Sequence, residues 1–533
     1  MTGRITASRR RRSVGTTVSK TLMLCIFAGI IILPIVRMLA NITPAGIKKV
    51  FGSPAIGGIL LNTVSVTAVA TVVTVVIAYL LAYCIERTDI KCKGILRVIL
   101  VLPMLIPSIS HGMGLILLLG NNGIITNLLK LNTNIYGFFG IVVGSVLYAF
   151  PVAFMMISDV MRYEDSSPYE AARVLGIPKW RQVTAITLPF MRKPMISVIF
   201  ATFTMIITDY GVPLMVGGKF KTLPVVMYQE VIGQLDFNSG SVYGAILLLP
   251  AVVAFLVDLA NNDKGNSVFV IKPFEQAKGK LTLALSYTYT CLIALLTLLP
   301  IVSFIVLGFT KNYPTDMSFS MANIGKVLDL NGGTYLLNSV IIAVSVAVIG
   351  SVLGFIAAYL TARSQTALSK VLHLITITAM AIPGIVLGLS YVIVFKGSFI
   401  YGTLAILIMA NVVHFVASPY LMMYNSMSKI NSNIESVGET LGIGKLRLIK
   451  DVFLPQSLPT LFEMFSYFFV NSMMTISAVS FLSRTSTKPI SLMINQFEAQ
   501  MQLENAAIVS LVILAINLLI KGIAAFIKRK TAK

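Results

Sequence analysis

The chain has 533 residues, 56% of them hydrophobic and only 12% charged, with 42 lysines and arginines against 20 acids for a formal net charge of +22. About a quarter of the residues in an ordinary soluble domain are charged, so this composition excludes a soluble globular fold. Long unbroken apolar runs, in place of short alternating segments, argue equally against an outer-membrane barrel.

Taken in chain order, a basic run at Arg9–Arg12 is followed by apolar windows near 21–40, 57–85, 95–119, 138–161, 195–216 and 241–260. A second set lies near 281–308, 338–362, 371–395, 403–427, 459–481 and 506–527. Each window is long enough to cross a bilayer, which predicts about twelve transmembrane helices. The first lacks a small-residue cleavage site and carries Arg37 near its far end, so it reads as a retained anchor and not a removed leader. With the N-terminus placed in the cytoplasm, most of the 42 basic residues fall in cytoplasmic segments, including Arg9–Arg12 and the tail Lys528–Lys530. That is the positive-inside bias of membrane helices, so the surplus charge reads as topology and not as a nucleic-acid footprint. Cys25, Cys84, Cys92 and Cys291 show no CxxC spacing and indicate neither a disulfide frame nor a zinc site.

The two sets of windows are copies. "LLNTVSVTAVATVVTVVIAYLLAYCIERT" (60–88) aligns without a gap on "LLNSVIIAVSVAVIGSVLGFIAAYLTARS" (336–364), an offset of 276 that also pairs Pro107 with Pro383. Further on the offset is 266, pairing Gly176 with Gly442 and Leu188-Pro189 with Leu454-Pro455. An even number of spans per copy gives both the same orientation, so the repeats are parallel, about an axis along the membrane normal. The expected fold is an all-α polytopic membrane protein built from two parallel six-helix repeats. Its domains are a basic cytoplasmic N-terminus (1–20), a first transmembrane domain (21–260), a polar cytoplasmic linker (261–280), a second transmembrane domain (281–527) and a short tail (528–533).

Each copy interrupts its apolar runs with one short polar stretch, "SSPYEAARVLGIPKWRQVTAITLP" (166–189) and "NSNIESVGETLGIGKLRLIKDVFLP" (431–455). In the first, Ser167 and Glu170 have capping-box spacing, Pro168 suits a helix start, and Gly176 suits the left-handed residue that ends the helix. In the second, Ser432, Glu435 and Gly442 repeat the design. Both predict a two-part element standing off the cytoplasmic face, which calls for a cytoplasmic partner.

The spacing E-A-A, three residues, Gly, nine residues, I-x-L-P is met by Glu170, Ala171, Ala172, Gly176 and Ile186–Pro189. The chain thereby resembles the permeases of binding-protein-dependent ABC importers over nearly its whole length, in the fused two-domain form of ferric iron and 2-aminoethylphosphonate permeases. The resemblance implies that this EAA loop is a coupling helix docking on an ATPase subunit, through Glu170, Ala171, Ala172, Gly176, Leu188 and Pro189. In the second copy Glu435, Gly442, Leu454 and Pro455 would serve, but Ser436, Val437 and Gly438 replace Glu-Ala-Ala and Glu435 comes one residue early. Glu170 and Glu435 therefore carry two readings, a salt link to the ATPase or a local helix cap.

For the pathway, Pro107 and Pro383 free backbone groups inside windows, which fits either kinked packing or a cavity lining. Asp209, in "TDYGVPLMVGG", is a carboxylate at membrane depth, a pathway or gating candidate, with a purely structural role as the alternative. His111, His373 and His414 show no metal-ligand spacing, and no metal site is expected. There is no G-x-x-x-x-G-K-[ST] phosphate loop, so no cofactor is expected on this chain, and ATP with magnesium would belong to two partner ATPase copies. The chain is expected to be no enzyme. The resemblance further implies an extracytoplasmic solute-binding protein as partner and a prokaryotic cytoplasmic (inner) membrane location, with both termini cytoplasmic. Ferric iron or 2-aminoethylphosphonate is the favoured solute. A carrier driven by an ion gradient is the alternative, disfavoured by two matched cytoplasmic loops it does not need.

Overall fold

The computed structural model describes residues 2–130, 134–261, 274, 279–364 and 366–531. Most of the proposed linker therefore lies outside the described residues. The described chain is almost wholly helical, with one small hairpin pairing Thr310–Asn312 to Asp316–Phe319. Nine helices among the described residues are long and apolar enough to cross a bilayer, or up to eleven if each bent pair is one span. The expected cytoplasmic segment 1–20 is part of a helix, Thr2–Phe27, that runs on into the first span.

Five windows depart from the continuous helices the sequence suggested, that at 403–427 by a bend of 53° between Leu404–Phe415 and Ala417–Ser428. The window at 95–119 splits into Lys93–Val101, a tight turn Leu102–Leu105, and Ser108–Leu119, with extended backbone at Ile106 before Pro107. Its copy splits the same way, Ala367–Thr378 with its tight turn Ala379–Ala381 meeting Gly384–Phe395 at a bend of 109° across Pro383. Proline restricts the residue before it to extended backbone, so both bends sit where the prolines place them. The windows at 195–216 and 459–481 end early, as Leu188–Ile207 and Leu454–Met474. Asp209 and Thr475 stand just beyond these ends.

The repeats exchange parts. The helix Ile56–Arg87 packs against Phe138–Arg162 and Leu188–Ile207, and Gly332–Ala362 packs against Ala417–Ser428 and Leu454–Met474. Yet the first span of each half leans on the other half. Tyr391 donates to the Ile30 carbonyl at 2.7 Å, and the buried Lys20 ammonium donates to Ser364 and Thr366 hydroxyls at 2.7 and 3.0 Å. In return, Lys280–Gly308 packs on Ser108–Leu119, and the Lys91 N–H donates to the Tyr287 hydroxyl at 2.7 Å. The last helix, Leu503–Thr531, packs within its own repeat but touches the first as well. Asn517 donates to the Leu105 carbonyl at 2.9 Å, a backbone acceptor left open by the break before Pro107. In hydrocarbon no water can satisfy such a group, so a side chain from the other repeat does.

Candidate coupling elements and translocation cavity

Both short polar elements end as their glycines dictate. Ser167–Val174 terminates at Gly176 (φ +69°) and Ile434–Thr440 at Gly442 (φ +70°). The Ile177 and Ile443 N–H groups reach back to the carbonyls of Ala172 (2.9 Å) and Gly438 (2.8 Å), and the Gly176 and Gly442 N–H groups to those of Arg173 and Glu439. This is a Schellman stop, which needs a left-handed residue and so favours glycine. After it a single helical turn, Lys179–Gln182 or Lys445–Leu448, leads into one wide turn, Val183–Thr187 or Ile449–Phe453, where the Leu188 and Leu454 N–H groups bond five residues back. Pro189 and Pro455 follow at once, so their missing N–H falls where the helical ladder is already interrupted.

The helix starts differ from the capping boxes that the sequence suggested. The Ser167 N–H and hydroxyl both donate to Asp165, at 3.1 and 2.8 Å, and the Glu170 N–H bonds the Ser166 carbonyl. In the second element Asn431 accepts the Asn433 N–H at 2.9 Å, and Glu435 is drawn elsewhere. Both starts are Asx turns, in which an earlier side chain satisfies the first free donor.

What binds each element to the membrane domain is an arginine at the end of a long helix. Arg363 donates through Nε and a terminal nitrogen to the two oxygens of Glu435, at 2.6 and 2.5 Å. Its remaining donors bond the carbonyls of Met427 (3.2 Å), Ile430 (2.7 Å) and Asn431 (2.8 Å). The hydrogen bond to Glu435 raises the Arg363 pKa further above its already high value, so the guanidinium stays charged. Arg87 stands at the matching place in the first repeat and pairs with Glu164, which lies just past Phe138–Arg162. Tyr169 donates to the other Glu164 oxygen at 2.5 Å and bonds the Thr187 hydroxyl at 2.8 Å. Burial, then the bond to Glu164, pushes the Tyr169 hydroxyl above the usual phenol range, keeping it a donor at neutral pH.

At the 266 offset Tyr169 corresponds to Glu435. The early carboxylate of the second copy is thus the substitute for a tyrosine, and it serves the same arginine from inside the short helix. The Ala172-to-Gly438 change has a steric cause too. A Cβ on Gly438 would lie 2.5 Å from Leu448, whereas the first repeat has the polar Gln182 there, bonded to the Ile177 carbonyl at 2.7 Å. Arg87, Arg363 and Glu164 escaped the motif reading, although the 276 offset pairs the two arginines.

The pathway candidates come together. Pro107, Asp209 and Pro383 all line one cavity of about 330 Å³ between the repeats, with Ser108, Tyr148, His414, Tyr467 and Asn471. Tyr148 and His414 are equivalent at the 266 offset and face the cavity from opposite halves. The Asp209 carboxylate accepts the N–H groups of Gly211 (3.2 Å) and Val212 (3.0 Å), so it also caps Gly211–Val216. Asp209 thus lines the cavity and caps a short helix at once. Asn261 donates to the Lys193 carbonyl at 2.7 Å, which puts the end of Phe237–Asn261 level with the start of Leu188–Ile207. The cavity reaches Asp258 near that end and so extends toward the side bearing the short elements. Next to Asp209 in the chain stands the buried Tyr210, whose hydroxyl meets Ser480 at 2.5 Å, and Tyr228 stacks between Tyr210 and Phe481. Among the described residues no cluster of His, Cys, Asp or Glu could hold a metal ion. His111 and His373 lie apart, each bonded within its own repeat.

The bidentate pair generates a test. Glu435→Gln leaves Arg363 partly buried without its counter-charge, at a cost of ~3 kcal/mol. Amide hydrogen exchange of residues 434–443 should quicken, while that of 167–174 holds. Equal exchange in wild type and variant would show that the pair does not fix the helix.

Comparison with known proteins accords with this geometry. The family described as "binding-protein-dependent transport system inner membrane component" matches twice, at residues 74–262 and 350–533. The ferric transport system permease protein FbpB of Actinobacillus pleuropneumoniae is 25% identical over 467 residues, covering 84% of this chain and 67% of that protein. A putative ferric transport system permease protein, FbpB 1 of Haemophilus influenzae, is 24% identical over 84% of this chain and 73% of its own. The molybdenum transport system permease protein ModB of Azotobacter vinelandii is 26% identical over 200 residues, 36% of this chain and 88% of its own. These are permease subunits and not the hydrolytic component, so ATP hydrolysis falls to a separate ATPase. The repeat seen in the sequence is thus the family pattern occurring twice, and the protein belongs to the binding-protein-dependent transport system inner membrane components as a fusion of two in one polypeptide.

Proposed function

We propose that the chain forms the translocation pathway of an ATP-driven importer for a small cationic solute, with ferric iron favoured. The observation that carries this reading is the charge of the cavity. Asp209 and Asp258 line it, and among the described residues no lysine or arginine does. Such a lining attracts cations and repels oxyanions such as molybdate or sulfate. The names of the two ferric relatives point the same way, and that of the molybdenum relative does not. Of the two solutes suggested by the sequence, 2-aminoethylphosphonate carries a phosphonate that this lining disfavours.

In this reading the termini and short elements lie in the cytoplasm, and two ATPase subunits dock on the elements. Glu170, Ala171, Ala172 and Gly176 serve the first, and Gly442 with the exposed face of 434–441 serves the second. An extracytoplasmic solute-binding protein delivers to the opposite side. The arrangement with Tyr210 buried and the cavity extending toward the elements is the state that releases solute inward. ATP-driven approach of the two elements would reverse it, by alternating access between two packings.

The test is ATP-dependent uptake into cells with and without this gene, offered labelled ferric iron, 2-aminoethylphosphonate, molybdate and sulfate in parallel. Loss of ferric uptake alone, restored by the wild type, is expected. Loss of an oxyanion instead would overturn the solute. Uptake that survives ATP depletion but collapses with the ion gradient would overturn the importer.

Two variants refine it. Asp209→Asn keeps a capping oxygen and removes the charge, so uptake should fall about tenfold, ~1.4 kcal/mol, with the fold intact. Undiminished uptake would leave Asp209 as a cap only. Glu170→Gln should weaken ATPase association, and unchanged association would remove the salt link.

A further inference from the structure

We propose that Tyr148 and His414, equivalent residues of the two repeats, form with Asp209 a transient three-ligand site for the transported metal ion. The proposal rests on the importer reading for ferric iron as the ion. Several polar groups of the cavity are already committed. Thr208 donates to the Thr204 carbonyl at 2.8 Å, Asn471 donates to the Tyr467 carbonyl at 2.8 Å, and the Tyr467 hydroxyl is met by that of Ser418. Among the described residues the Tyr148 hydroxyl and the His414 imidazole have no hydrogen-bond partner, although both line the cavity.

Their rings are nonetheless held. His111 meets the Tyr148 ring edge-on with centroids 5.8 Å apart, and Phe415 lies 4.5 Å from the His414 ring. Gly384 makes room for that imidazole, since a Cβ there would lie 3.0 Å from its Cε1 and Nε2. At the 276 offset the first repeat has Ser108 in that place. An unmet polar group inside a membrane is costly, and two of them on fixed rings around one cavity point to a ligand that meets them.

Asp209 supplies the charge. It lies within electrostatic reach of Tyr148 and lines the same cavity. The phenol completes a set that carboxylate and imidazole alone do not make. Carboxylate and phenolate are hard oxygen donors suited to a trivalent ion, and imidazole is a common ligand of iron. On binding a ferric ion, Tyr148 forms an O–Fe bond, breaks its O–H bond, and gives the proton to solvent on the open side. The iron stays trivalent, and the two anionic ligands leave the site with one net positive charge. Three protein ligands leave much of the ion's coordination sphere open, so it is held weakly enough to move on. Asp209 and Tyr148 belong to the first repeat and His414 to the second. Rearrangement of the repeats therefore takes the site apart, and the ion leaves as it loses its imidazole.

The test is titration of the purified full-length chain, in lipid nanodiscs, with ferric nitrilotriacetate, because iron bound to a tyrosinate absorbs visible light. Wild type should develop that charge-transfer band. Tyr148→Phe should abolish it with thermal unfolding unchanged, and Tyr467→Phe should retain it. His414→Gln should keep the band and weaken ferric binding by at least about tenfold, the worth of even an outer partner in a metal site. A band that survives Tyr148→Phe would overturn the site, as would its absence from wild type or undiminished affinity in His414→Gln.

Ferric uptake by the assembled complex, with its ATPase and binding protein, separates this site from the importer reading. Tyr148→Phe and His414→Gln should each slow uptake about tenfold while the complex still assembles. Uptake unaltered by both would overturn the site and leave the importer reading standing. A wild type that shows the band and carries no ferric iron would overturn the solute reading and the site's part in transport together.

Discussion

One guanidinium at the end of one long helix organises each half of this protein. Arg363 has its donors committed to a carboxylate and three carbonyls, all from the segment where a membrane helix gives way to a short polar one. Lysine, a point charge with three donors, could not hold that set. Arg363 is only 7% exposed, so its bonds work at reduced dielectric, and removing the partner strands a buried charge. The short elements are thus tied to the bundle by a stiff joint, and a push on an element moves a span end with it.

The two joints show how a repeat diverges while its geometry persists. Where the first has Tyr169 relaying to Glu164, the second places Glu435 directly on the arginine. Where the first has Ala172 and a polar Gln182 bonded to the Ile177 carbonyl, the second has Gly438 making room for Leu448. In place of Thr187, which bonds the Tyr169 hydroxyl, the second has Phe453 beneath Arg363. Each change is compensated by a neighbour in space that lies far away in sequence. The equivalence of the elements lies in their shape, and their chemistry differs.

Much of this was legible in the chain. The offset of 276 and then 266, the left-handed glycines at 176 and 442, and the backbone breaks at Pro107 and Pro383 all follow from local rules that sequence states directly. The helix starts were misread because Asp165 and Asn431 compete for the same N–H groups as Ser167 and Ser432, and distance decided. The early ends at Ile207 and Met474 were hidden by continuous hydropathy, since a short buried helix such as Gly211–Val216 is as apolar as a span. The arginine joints were hidden because their partners are remote, 72 residues apart for Arg363 and Glu435.

The central claim is that the arginine joints transmit movement of the short elements to the cavity. It is tested most directly by placing one cysteine at Thr204, which lines the cavity, in the assembled complex freed of the four native cysteines. Its reaction with a membrane-impermeant thiol reagent is then followed from the side bearing the elements. Adding a non-hydrolysable ATP analogue should protect the cysteine when both arginines are intact. With Arg87→Gln and Arg363→Gln together, nucleotide should still bind and the protection should vanish. Protection that persists without the arginines would contradict the account, and would place the transmission elsewhere in the bundle.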